Sequence, residues 1–150
     1  MKTLLLLGIL ILIFNSCTYE CGKSEGLKPN FISFSEAEIR PIVIKSYQKG
    51  SNFTNIVDSF TFDISNSGFY KRNDTLELSS SQLRNRITSD FDHVIFLPSA
   101  NLSFGITDLN EPKREERKTL KKVYCVSQII SCKINDRQTA ISYDDLYLKK

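Results

Sequence analysis

Tryptophan is absent from this 150-residue chain, histidine and methionine occur once each, and glycine and proline number six and four. With no compositionally biased segment, that scarcity excludes collagen-like, repeat and low-complexity architectures and leaves a globular composition. One histidine and no C-x-x-C pair offer no spacing for a structural metal site, so neither metal nor cofactor is expected. No G-x-S-x-G elbow marks a nucleophile. A formal net charge of only +3 makes no case for a nucleic-acid partner. Beyond the N-terminus no apolar run approaches the roughly 20 residues a spanning helix needs.

What the chain does have begins at once. Lys2 precedes an uncharged apolar run over residues 4–14, which polar Asn15 and Ser16 end. That length fits a secretory h-region and is too short to span a bilayer. Ordinary signal peptidase selects small residues at −3 and −1, yet cleavage before Cys17 would place Phe14 at −3. The stretch "IFNSC" instead resembles a bacterial lipobox, with Ser16 before a Cys17 that is acylated and becomes the new N-terminus. Cys21 is less suited, because Tyr19 and Glu20 are not small. The expected division is a signal peptide over residues 1–16, a flexible tether over 17–30 and a folded domain over 31–150. Membrane lipid, reached through palmitate-type chains on Cys17, is the expected partner; several chains on one residue anchor stably where one does not.

Four cysteines lie in a chain expected to enter an oxidising envelope. If Cys17 carries lipid, Cys21, Cys125 and Cys132 remain. In one extended strand, Cys125 and Cys132 would stand about 23 Å apart at roughly 3.3 Å per residue, too far for a disulfide. Cys21 is therefore expected to bridge to one of them, stapling the tether to the core. The alternative is three free thiols with the later two buried.

Period-two alternation dominates the rest. "FTFDIS" aligns Phe60, Phe62 and Ile64, "TLELS" aligns Leu76 and Leu78, and "LSFGITD" aligns Leu102, Phe104 and Ile106. "HVIFLPSANLSFGITDL" reads as a hairpin turning at "PSAN". "PIVIKSY" is a further strand opened by Pro41, and the C-terminal third suggests a final hairpin or two adjacent strands. The expected class is all-β, an immunoglobulin-like sandwich of about seven strands. Ser35 and Glu38 stand at capping-box spacing, and Ser81 could open another helical turn. "NEPKREERKTLKK", with six basic and three acidic residues, reads as a solvated loop or strand extension, the alternative being contact with a phosphate-bearing surface, which its distance in sequence from the lipid disfavours.

Candidate chemistry is thin. His93 neighbours Asp90 and Asp92, but adjacent strand residues point to opposite faces, and a polar strand edge is the simpler reading. Asp144 and Asp145 suit a turn or strand end. Three N-x-S/T sequons, at Asn52, Asn73 and Asn101, are unremarkable in a chain so rich in Asn, Ser and Thr. "DTL" at residues 74–76 resembles the O-glycosylation motif of Bacteroidota, with Thr75 as acceptor. Tyr19, Tyr47, Phe69 and Tyr70 are candidate sugar platforms, although such platforms most often recruit tryptophan.

"RPIVIKSYQKGSNFTNIVDSF", "DFDHVIFLPSANLSFGITDL" and "VYCVSQIISCKIN" together resemble small lipoproteins of unknown function from Bacteroidota. The resemblance implies a lipid anchor, an outer-membrane location facing periplasm or surface, and a β-rich domain; it supplies no catalytic residue. The function expected is a binding or structural accessory at the cell envelope, contacting other envelope proteins or glycans. The alternative is an envelope-associated hydrolase using Asp92 and His93.

Overall fold

The computed structural model describes residues 21–63, 69–78, 81–83, 85–119 and 122–150. The expected signal peptide, Cys17, Tyr19 and Ile64 lie outside the described residues. Among the described residues twelve strands follow in order: β1 (Lys28–Ile32), β2 (Ile42–Gln48), β3 (Ile56–Phe62), β4 (Phe69–Arg72), β5 (Thr75–Leu78), β6 (Phe91–Leu97), β7 (Leu102–Asn110), β8 (Lys113–Thr119), β9 (Lys122–Ser127), β10 (Ser131–Ile134), β11 (Arg137–Ala140) and β12 (Asp145–Lys149). The class is all-β, with more and shorter strands than the seven that alternation marks.

A six-stranded sheet runs β11-β10-β7-β6-β2-β3, a four-stranded sheet runs β12-β1-β5-β4, and β8 and β9 form a separate ribbon. The two larger sheets share one core. Ile42, Ile44, Ile95, Leu97, Phe104 and Ile106 from the first meet Phe31, Leu76, Leu78, Leu146 and Leu148 from the second in a single buried cluster. Phe34 bridges the layers, edge-on to both Phe31 and Phe104. Burying each such side chain contributes about 1.5–3 kcal/mol. Alternation supplies the face: along β6, His93, Ile95 and Leu97 are buried while Val94 and Phe96 are half-buried on the reverse side.

Turn chemistry follows the residues. "PSAN" makes a 3-10 turn over Pro98–Ala100, closed by Asn101 at φ 50°. Asn135 (φ 46°) and Asp136 (φ 65°) form the two-residue β10–β11 turn, both left-handed as a primed hairpin requires. The three sequon asparagines, Asn52, Asn73 and Asn101, all have φ between 50° and 54°. Asparagine tolerates that region better than most residues, so turn geometry alone explains these sequons.

Three expectations shift. The domain starts before residue 31: Leu27 is buried and β1 begins at Lys28, pairing with β5 and, in parallel, with β12. Apolar Leu27 and Phe31 drive this. The Ser35–Glu38 box forms one turn, with the Ser35 amide donating to the Glu38 carboxylate at 2.9 Å, and the Ser81 segment is the 3-10 turn Ser81–Leu83. The long apolar run containing both later cysteines breaks over residues 128–130, where Ile129 turns into the core. Cys125 and Cys132 therefore belong to different sheets.

Candidate functional site

The outer face of the six-stranded sheet is shaped by a bulge in β7. Thr107 pairs with Lys133 and Asn110 with Ser131, so β7 carries one residue more than β10 between these pairs. Asp108, at φ 52°, is the extra one. Phe104 and Ile106 face the core, but after the bulge Leu109 is buried and Asp108 is exposed. A bulge turns a side chain that alternation would bury out toward solvent.

A second element folds over this face. The loop at residues 49–55 brings Phe53 (φ 59°) edge-on to Tyr47, with centroids 5.4 Å apart. Phe53 rests against Gly105, where a Cβ would lie 3.1 Å from the ring Cζ. The Gly105 amide donates to Asn135 Oδ1 at 2.8 Å, and the Asn135 amide donates back to the Gly105 carbonyl at 2.8 Å. Glycine is what lets loop, strand and turn approach so closely.

These parts enclose a cleft of about 510 Å³ lined by Lys49, Phe53, Asp92, Asp108, Lys133 and Asp136 among others. It shares Phe53, Thr107 and Asp136 with a smaller depression of about 290 Å³ beside Val94, Ser103 and Gly105. Lys133 and Asp108 form an ion pair at 2.7 Å. The hydrogen bond from Lys133, then its charge, holds the Asp108 carboxyl below the usual range, and Asp108 raises Lys133 in return. Asp92 is buried and accepts the Gly50 amide at 2.7 Å, which fixes the loop to the sheet. The cleft thus offers fixed charges of both signs and one aromatic face, a lining for holding a polar ligand.

The histidine lies elsewhere. His93 is fully buried on the core face, and its Nδ1 stands 3.1 Å from Ser46 Oγ on the facing position of β2. Nε2 is 2.9 Å from the Thr88 carbonyl and 3.1 Å from the Thr88 amide. Burial pushes the imidazole below its ordinary value, opposed by the Thr88 bond and the Asp92 charge. Asp92 and His93 face opposite ways, as their adjacency on a strand requires. Neither Ser46 nor His93 lines the cleft, and a nucleophile must be reachable to act. The pair secures a polar spot at the edge of the core.

Cys21 is disulfide-bonded to Cys125, with Cα atoms 4.8 Å apart at a sequence separation of 104, while Cys132 is a buried free thiol. Burial pushes the Cys132 thiol up to about 11. Around the bridge, Glu111 gathers three donors: the Ser24 amide at 2.7 Å, the Ser127 hydroxyl at 2.6 Å and the Ser89 hydroxyl. Burial opposes ionisation there, but these donors and Lys23 outweigh it and hold the carboxyl below its usual range. Lys23 also pairs with Asp90 at 2.8 Å. Gly26, at φ 83°, passes so close to Ile87 that a Cβ would meet its carbonyl oxygen at 2.7 Å.

The other candidates scatter. Thr75 is half-buried in β5, paired on one side with Ile32 and on the other with Arg72. Asp144 occupies the tight turn before β12, and Asp145 accepts from Asn30 Nδ2 at 3.0 Å. Tyr47 is buried beside the cleft, whereas Phe69 and Tyr70 lie on β4 in the other sheet. Sequence reading missed Lys49, Phe53, Asp108 and Lys133. One signal was available: in "FGITDL" the apolar spacing goes from two to three between Ile106 and Leu109, which marks a bulge. No family model, no curated protein and no solved structure matches this chain.

Proposed function

We propose that the protein is a lipid-anchored accessory of the cell envelope that binds through the outer cleft of its six-stranded sheet. The anchor reading is carried by how the cysteines divide. Cys21 and Cys125 pair, and Cys132 is enclosed in the core. Cys17, directly after Ser16 and the apolar run, is left for acylation. This supports the reading of a small lipoprotein of the Bacteroidota type that the sequence resembles, held in the outer membrane facing periplasm or surface. The cleft supports the binding half of the reading, because it sets Lys49, Lys133, Asp108 and Asp136 around the Phe53 ring, a lining suited to an envelope glycan or a polar segment of another envelope protein. A hydrolase working through His93 is the weaker reading, since His93 and Ser46 are enclosed.

Growth with labelled palmitate, followed by membrane flotation of the wild type and Cys17→Ala, tests the anchor. Label and flotation should both be lost in the variant, and unchanged fractionation refutes the anchor. A photo-crosslinking amino acid at Asn52, on the cleft rim, should yield an envelope adduct that one at Ser99 does not. Equal labelling from both positions refutes the cleft as the contact surface.

A further inference from the structure

The floor of the outer cleft is made by strands from the middle of the sheet. β6 lies between β2 and β7, β7 between β6 and β10, and β10 between β7 and β11. By alternation Ser103, Gly105 and Thr107 of β7 face outward, beside Val94, which pairs with Gly105, and Lys133, which pairs with Thr107. Each floor strand has a ladder partner on both sides, so an extended peptide finds no edge there to join as an added strand. Recognition falls to side chains: hydroxyls, an amide, carboxylates, ammonium groups and one ring.

Charge narrows the occupant further. Among the described lining residues, Asp92, Asp108 and Asp136 accompany Lys49 and Lys133. Both lysines are engaged, Lys133 by Asp108 at 2.7 Å and Lys49 Nζ by the Ser89 carbonyl at 3.0 Å. An anion entering here would meet an excess of carboxylate, and like charges brought together are repelled. A cation would find two of the three carboxylates committed, Asp108 to Lys133 and Asp92 to the Gly50 amide. Each carboxylate still keeps lone pairs beyond the one in use, so a neutral ligand rich in hydroxyls can donate to them without breaking either bond.

Phe53 supplies the apolar element. Its ring lines both the cleft of about 510 Å³ and the depression of about 290 Å³. Tyr47 and Gly105 hold it in place, and a ring already ordered loses little freedom on binding. The cleft falls within the roughly 300–1,000 Å³ of small-molecule sites, and a second depression sharing the same ring suits a ligand of more than one unit.

We propose that the cleft takes a neutral oligosaccharide, with the apolar face of one pyranose against Phe53 and sugar hydroxyls bonded to Asp108, Lys133 and Asp136. This deepens the binding reading above and rests on it. A pyranose carries C–H groups on its faces and hydroxyls around its rim, which matches an apolar surface ringed by convergent polar groups.

The test uses full-length protein purified from cells in mild detergent and an array of short oligomers. The array holds neutral trimers of glucose, mannose and N-acetylglucosamine, a galacturonic acid trimer, a glucosamine trimer, the matching monosaccharides and polar peptides. Neutral trimers are presented both as free chains and on a peptide threonine, which separates a polysaccharide source from a glycoprotein. A neutral trimer should bind in preference to the charged trimers, the peptides and its own monosaccharide. Phe53→Ala should weaken that binding roughly ten-fold or more, and Phe53→Trp should retain it. Tyr70→Ala, which removes an exposed ring from β4 in the other sheet, should leave it unchanged. Where Phe53→Ala alters the circular dichroism, Phe53→Leu gives the same reading, because it keeps apolar volume and loses the ring. Binding confined to charged trimers or peptides, or binding that survives the loss of the Phe53 ring, overturns the saccharide. A monosaccharide that binds as tightly as its trimer overturns the extended occupant. An array without binding, while the crosslinker at Asn52 still captures selectively, overturns the saccharide alone. Equal labelling from Asn52 and Ser99 overturns the cleft, and the saccharide with it.

Discussion

Ser46 Oγ and His93 Nδ1 lie 3.1 Å apart on facing positions of β2 and β6, both enclosed by the core. With Thr88 at the other nitrogen, each polar atom of the ring has a partner, which is the condition for burying an imidazole cheaply.

The buried ring makes stability depend on pH. His93 is pushed below its ordinary 6.5, chiefly by burial, so the unfolded chain takes up this proton more readily than the folded one. Its contribution is fully present above about pH 6.5 and is lost progressively as pH falls below it. Thermal melts should show a decline in stability setting in there. His93→Phe should flatten that part of the profile, and a profile identical to wild type refutes the assignment.

The Cys21–Cys125 bridge closes a long loop, and its removal should destabilise the domain by roughly 2–5 kcal/mol. Cys21→Ala, Cys125→Ala and the double variant should unfold at nearly the same denaturant concentration, since each removes the same bond. Additive losses would show that the two sulfurs act separately.

Cys132 should resist chemistry in the fold. With its thiol raised to about 11 by burial, little thiolate exists near neutrality. Iodoacetamide should leave Cys132 unmodified in the native protein and label it once denaturant is added without reductant. Labelling of Cys132 at the native stage would contradict its enclosure.

Gly105 and Phe53 are coupled by contact. Gly105→Ala sets a methyl 3.1 Å from the ring and should displace the loop at residues 49–55, costing about 1 kcal/mol, a typical loss for one substitution. In Phe53→Ala the same change should cost less. A double-mutant cycle reads the difference, expected at about 0.5 kcal/mol or more, and strict additivity would place Phe53 away from Gly105.

Lys150 is clasped by Glu38, which accepts from Lys150 and from Ser35. The Lys150 bond, then the Ser35 bonds, lower the carboxyl from 4.5 to about 2. A depressed carboxyl stabilises above its unfolded value, and the contribution is lost as pH falls from about 4.5 through about 2. Protection of the Lys150 amide, which donates to the Ile32 carbonyl at 3.3 Å, should fall over that range relative to its intrinsic exchange rate at each pH. Glu38→Gln should exchange quickly already at neutral pH, and no difference from wild type there would remove the clasp.

Local rules made much of the fold readable. Alternation placed Phe60, Phe62, Leu76, Leu78, Phe104 and Ile106 on strands, and "PSAN" announced its own turn. Alternation says nothing about which strands become neighbours, so the parallel pairing of β1 with β12 was not legible, nor was the entry of residues 28–30 into a sheet. The cleft was hidden for the same reason: Lys49, Phe53, Asp108 and Lys133 come from a loop, a bulge and a distant strand, and only the spacing from Ile106 to Leu109 hinted at any of them.

By itself the sequence determined the all-β class, the apolar run before Cys17 and the basic composition of residues 113–122, because each depends on residues close together in the chain. Tertiary structure alone decided that Cys125 rather than Cys132 receives Cys21, that His93 meets Ser46 rather than solvent, and that the basic ribbon lies beside the N-terminal entry. Those outcomes join residues tens to a hundred positions apart. Sheet pairing and core burial choose such partners, and no local spacing encodes that choice.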